Sequence, residues 1–141
     1  MFTRLSIVLL LLVAGFSTAR GQNCLEYGPV VALEGRLSSR VFAGPPNYES
    51  IKRGDRKETA IILTLANATC TTATNTPANT FDVAETDIRE VQLVITKPEH
   101  WKALKSLRGK PVVVTGTLFH AHTGHHRTKI LITVTELKLK Q

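Results

Sequence analysis

Cysteine is scarce in this 141-residue chain, which has two, Cys24 and Cys70, and no C-x-x-C spacing. Two thiols so far apart in sequence argue against a metal pair. Aromatic residues make up 6% of the chain, with a single tryptophan. No basic run is interleaved with them, so no specific nucleic-acid footprint emerges. Also missing are a Gly-x-Ser-x-Gly elbow, a phosphate-cradling glycine loop and a His-Glu-x-x-His helix. Those gaps remove the usual nucleophilic and zinc-protease routes. They leave one enzyme class to consider, a metal ion that activates a bound water.

What is present begins with an address. Arg4 supplies a positive start, and Ile7 to Gly15 form an apolar run too short to span a bilayer. Small residues then allow cleavage after Ala19 or Gly21, so residues 1–21 read as a signal peptide and 22–141 as one exported domain. No transmembrane segment is expected after the signal is removed. The expected address is extracytoplasmic, either periplasmic or secreted. An oxidising compartment makes a Cys24–Cys70 disulfide the default. Loss of Arg4 and Arg20 with the leader leaves 16 basic against 11 acidic residues, a net +5. An anionic surface is then a possible partner, although ordinary solubility asks for no less.

The mature chain alternates apolar and polar residues in the period of strands. Val31, Leu33 and Leu37 share a face, with Gly35 placed for a bulge or sharp bend. Ile61, Leu63 and Leu65 mark a second strand, from about 59 to 66, and Val91, Leu93 and Ile95 a third, from 88 to 95. Thr96-Lys-Pro-Glu99 has the capping-box form, and Trp101, Leu104 and Leu107 then give an apolar helical stripe that Gly109 should end. Strands at 111–120 and 129–139 follow. Three strands, a helix and two strands is the order of a five-stranded OB-like barrel. Closing the ring also removes exposed strand edges. A β-sandwich needs more strands than the pattern supplies.

Four of the five histidines lie at 120, 122, 125 and 126, between the last two strands. Matching the apolar faces sets Leu118 opposite Ile130 and Val114 opposite Val134, with Thr123-Gly-His125 at the tip. That register puts His120, His122 and His126 on one side, the ligand layout of a three-histidine site, for which zinc is the natural ion. In an OB barrel the loop between the first two strands flanks the same face. Here that loop carries Phe42, Tyr48 and the basic stretch Lys52-Arg-Gly-Asp-Arg-Lys57, which reads as solvated. Tyr48 therefore joins the three histidines as a candidate ligand contact. Asp82, Glu85 and Asp87 read as solvated loop acids, and Arg53-Gly-Asp55 as a chance tripeptide.

Two segments, Gly44-Pro-Pro-Asn-Tyr-Glu-Ser50 and Val114-Thr-Gly-Thr-Leu-Phe-His-Ala-His-Thr-Gly-His-His126, resemble a family of small bacterial exported domains of unknown function. The resemblance implies a bacterial origin and an exported address, and carries over no catalytic residue. Taken together, the sequence points to an exported module that binds a small ligand or metal through its histidine hairpin. A metal-dependent hydrolase using the same three histidines, and a structural or protein-interaction domain, are the other two readings.

Overall fold

The computed structural model describes residues 23–74 and 80–141, so the expected signal peptide lies outside the described residues. Five strands, β1 (Val30–Ala43), β2 (Lys57–Thr71), β3 (Glu85–Val94), β4 (Pro111–His120) and β5 (Ile130–Leu139), close into a barrel, with helix α1 (Pro98–Leu107) between β3 and β4. The strands neighbour one another in the ring order β1-β2-β3-β5-β4. All pairings are antiparallel except β3 with β5. This is the mainly β, OB-like architecture that the order of elements predicted.

Alternation explains the interior. Leu33 and Leu37 of β1, Ile61 and Leu63 of β2, Val91 and Leu93 of β3, Val112, Val114 and Leu118 of β4, and Ile130, Ile132 and Val134 of β5 form one buried cluster. Leu104 and Leu107 of α1 join it. Each fully buried side chain of this size contributes about 1.5–3 kcal/mol relative to exposure. Two β-strand glycines mark where neighbouring backbone comes too close for a side chain. A Cβ on Gly35 would lie 2.2 Å from the Thr64 carbonyl oxygen, and one on Gly116 would lie 2.1 Å from that of Thr133. Gly35 is where β1, already paired with β4, also begins to pair with β2.

The helix departs from its sequence signature in two ways. Lys97, not Thr96, is the N-cap and no side chain caps it, because Pro98 already occupies the first helical position. Glu99 is then one position early for a capping box. The buried stripe is His100, Leu104 and Leu107, while Trp101 is 52% exposed. Both residues flank the face set by Leu104 and Leu107, and the spacing i, i+4, i+7 has won over i, i+3, i+6. Gly109 does end the helix, with φ of 75°. Its amide donates to Leu37 O at 2.9 Å, which moors the helix end to β1.

Cys24 and Cys70 form the expected disulfide. It fastens the segment before β1 to the end of β2, where Leu25 also exchanges backbone bonds with Cys70 and Thr72. Tyr27 is buried there, and its hydroxyl donates to Val83 O at 2.7 Å and lies 3.0 Å from Thr71 Oγ1. Burial pushes the Tyr27 phenol above its ordinary pKa, outweighing the Thr71 bond. Among the described residues, no helix is long and apolar enough to cross a membrane.

Two stability measurements check this account. Gly116→Ala should lose about 2 kcal/mol or more in urea unfolding, since the added methyl must displace backbone rather than a flexible tip. Replacing both cysteines with serine should cost about 4 kcal/mol by loop-closure entropy over their 46-residue separation. A double variant as stable as the parent would mean that the bridge does not constrain the unfolded chain.

Candidate functional site

The hairpin register differs from the expected one by two residues near the tip and by three beyond a bulge. Leu118 faces Ile132, not Ile130, and Val114 faces Leu137, not Val134, with a bulge between Thr115 and Gly116. A slip of two keeps every side chain on its own face, so alternation alone could not distinguish the registers. The ladder ends at His120 with Ile130, is extended by Ala121 N–H to Lys129 O at 2.8 Å, and leaves a longer loop. A turn from Thr123 to His126, closed by a 3.1 Å backbone bond, forms the tip.

This loop folds onto the outer surface of β2, β3 and β5. Ile62 and Leu131 are fully buried although they lie outside the barrel's core cluster. Gln92 sits between them in the sheet. Its side chain holds the loop at two points, donating to His125 O at 3.2 Å and accepting from Arg127 N–H at 2.6 Å. The residue pattern thus leaves an apolar strip outside the barrel core, and Gln92, in the middle of it, anchors the loop.

The loop between β1 and β2 meets the same end of the barrel. Its organiser is Asp55, which is buried. That carboxylate accepts the amides of Asn47, Glu49 and Ser50 at 2.8–2.9 Å and the Asn47 side chain at 3.1 Å. The Ser50 and Asn47 amides, working against burial, hold its pKa at about 2 in place of 3.8. The Arg53-Gly-Asp55 tripeptide therefore offers no carboxylate to a partner. The neighbouring Lys52, Arg53, Arg56 and Lys57 are exposed, as expected.

Tyr48 reaches the hairpin, but it meets His125 rather than the three histidines grouped with it from the sequence. Its hydroxyl lies 3.1 Å from His125 Nε2, while His125 Nδ1 faces Glu58 at 2.9 Å. A carboxylate only accepts, so His125 carries a proton on Nδ1, and in the neutral ring the tyrosine hydroxyl donates to Nε2. Glu58 also takes Arg127 at 2.6 Å, and the Arg127 guanidinium lies over the rings of Phe42 and Tyr48 at 5.2 and 5.5 Å. Burial raises the Glu58 carboxyl, but the bonds from His125 and Arg127 outweigh it and leave the pKa below the ordinary range.

His120 turns the other way. Its Nε2 lies 3.1 Å from Glu85 and its Nδ1 3.0 Å from Ala121 O, while its amide donates to the buried Asp82 carboxylate at 3.0 Å. Glu85 also holds Lys129 at 2.7 Å, and the bonds from Lys129 and His120 keep its pKa low. Asp82 and Glu85, expected to be solvated, are instead supports of the hairpin. Asp87 remains exposed beside Arg89.

His122 and His126 do come together, with ring centroids 4.7 Å apart and planes at 86°. Their backbone contacts fix their protons. His122 Nδ1 lies 3.0 Å from His120 O, a carbonyl that only accepts, so the neutral ring carries its hydrogen on Nδ1 and its lone pair on Nε2. The His122 amide donates to His126 Nδ1 at 2.9 Å, so the neutral His126 ring carries its hydrogen on Nε2. Burial, then the nearby His122 and His125, push the His126 pKa down and favour that neutral ring. Phe119 lies 5.9 and 5.5 Å from the two rings, and Phe81, 61% exposed, lies 5.5 Å from His122.

The four hairpin histidines are thus divided among three environments. Among the described residues no three His, Cys, Asp or Glu side chains gather where one ion could be shared. Glu58, Glu85, Phe81 and Phe119 are the site residues that sequence reasoning missed. The first three arrive from distant stretches that only the closed ring brings alongside.

Residues 90–138 match the model of a domain of unknown function (DUF4431). The matched stretch runs from within β3 through α1, β4 and the hairpin into β5, and so contains His120, His122, His125 and His126. It does not include Gly44 to Ser50, nor Glu58. No curated protein matches the chain.

The Asp55 cluster carries a pH signature. A depressed folded-state pKa contributes stability that is fully present above 3.8 and is lost as pH falls toward about 2. Asp55→Asn should flatten that part of the acid unfolding curve and loosen the Tyr48–His125 contact, visible as faster amide exchange at Asn47, Glu49 and Ser50. An unchanged acid limb would show that the carboxylate does not organise the loop.

Proposed function

We propose that the chain is an exported, disulfide-stapled binding module that takes a small ligand at the hairpin pair His122 and His126. One observation carries this reading. His120, His125, Arg127 and Lys129 are all engaged with Glu85 or Glu58. His122 and His126, by contrast, are held by backbone through Nδ1 and have no partner at Nε2 among the described residues. Polar ring edges that are oriented yet unspent, beside an exposed aromatic, are what a ligand contact needs. The disulfide supports an oxidising address.

The metal readings fit this donor set less well. A transition ion shared by the pair needs a lone pair on both Nε2 atoms, and His126 gains one only by breaking the bond from the His122 amide. The hydrolase needs a third ring on the same ion, and His120 is turned to Glu85. A purely structural hairpin predicts no ligand at all.

The test is a saturation-transfer NMR screen of neutral saccharides, nucleosides and amino acids, with zinc chloride titrated separately. At least one organic compound should give a signal with the parent protein and lose it with the His122→Ala/His126→Ala double variant. A library in which nothing depends on the pair would overturn the binding reading. Tight zinc binding with no organic ligand would return the site to metal.

A further inference from the structure

Resting on that binding reading, we infer that the ligand is a neutral saccharide, held by vicinal hydroxyls on His122 and His126 and by its C–H face on Phe81 and Phe119. With both rings neutral, the pair offers one acceptor, His122 Nε2, and one donor, His126 Nε2–H, because each Nδ1 is committed to backbone. A carboxylate can only accept and an ammonium can only donate, so either would satisfy one ring and oppose the other. Hydroxyls do both, and two on adjacent carbons satisfy both rings in either direction.

The aromatic bed supplies the second half of the recognition. Phe119 is in ring contact with both histidines, and Phe81 flanks His122 from the segment before β3. Aromatic faces carry negative quadrupolar charge, and the weakly positive C–H groups on one side of a pyranose are attracted to it. Ring planes tilted at 41–68° between the phenylalanines and the histidines suit a three-dimensional sugar ring better than a flat base needing a parallel plate.

Charge on the hairpin itself disfavours a nucleic acid. Single-strand binders track phosphates with free cations beside their stacking rings. Here the cations of the same loop, Arg127 and Lys129, are tied to Glu58 and Glu85. Asp82 lies beneath the same hairpin, bonded to the His120 amide. A phosphate placed near the pair would meet those carboxylates, whereas a neutral sugar meets no such opposition.

The experiment is an NMR titration of the mature chain with cellotetraose, chitotetraose and maltotetraose at millimolar concentrations, alongside a short oligothymidylate, adenosine and zinc chloride. At least one saccharide should shift the His122 and His126 Nε2 signals and the Phe81 ring. Phe81→Ala and His122→Ala should each weaken that binding by about tenfold or more, the equivalent of one lost good contact. Trp101→Ala, on exposed helix surface, should leave it unchanged. If adenosine or oligothymidylate moves those signals and no saccharide does, the saccharide assignment is overturned while the binding site stands. If no organic probe moves them, both readings fall. Loss of sugar binding in Trp101→Ala but not in Phe81→Ala would place the sugar on the helix and also overturn the assignment.

Discussion

Closing five strands into one ring obliges β1 to pair with β4 along its first half and with β2 along its second. The β1–β2 loop and the β4–β5 loop meet, Tyr48 of the first lying against His125 of the second. Everything distinctive about the histidine hairpin depends on that convergence. Glu58, at the start of β2, can hold His125 and Arg127 only because the ring brings it to the loop that carries them. Glu85, at the start of β3, does the same for His120 and Lys129. Each carboxylate thus spends itself on fixing the loop, and the two rings left over are the ones with chemistry to offer.

The outer surface adds to the same end. A barrel of this size fills its interior with one side chain in two, and the others normally face water. Ile62 and Leu131 are exceptions, since they face outward and are fully buried. Burying two such side chains contributes about 3–6 kcal/mol before the entropy of ordering them is subtracted. Gln92 and the Arg127 stack then decide where the hairpin loop sits. The site accordingly rests on a packed base, which suits pre-organised binding.

Much of the architecture was legible from periodicity. The inward faces of all five strands, the helix between β3 and β4, the closed barrel and the cysteine pairing follow from alternation, element order and a count of two thiols. The hairpin register was not legible, because a two-residue slip leaves the apolar faces matched and the bulge near Gly116 has no sequence mark of its own. Nor was the choice of His100 over Trp101 as the buried helix residue, since both lie within one turn of the Leu104–Leu107 stripe. The division of the histidines was hidden for a different reason. It is set by Glu58 and Glu85, which are 67 and 35 positions away from their partners His125 and His120. Short-range spacing cannot report such pairs.

The ring closure described above also limits how this protein can meet others of its kind. A sheet with two rims can accept a further strand from a second molecule, and peptide groups then do the recognising. A closed barrel offers no such rim. Two copies could share main-chain hydrogen bonds only by opening and trading an element, and β1 is the costliest to trade because it zips to two neighbours at once. Contacts made by an intact copy therefore fall to side chains at the loop-bearing end and along the barrel's outer wall.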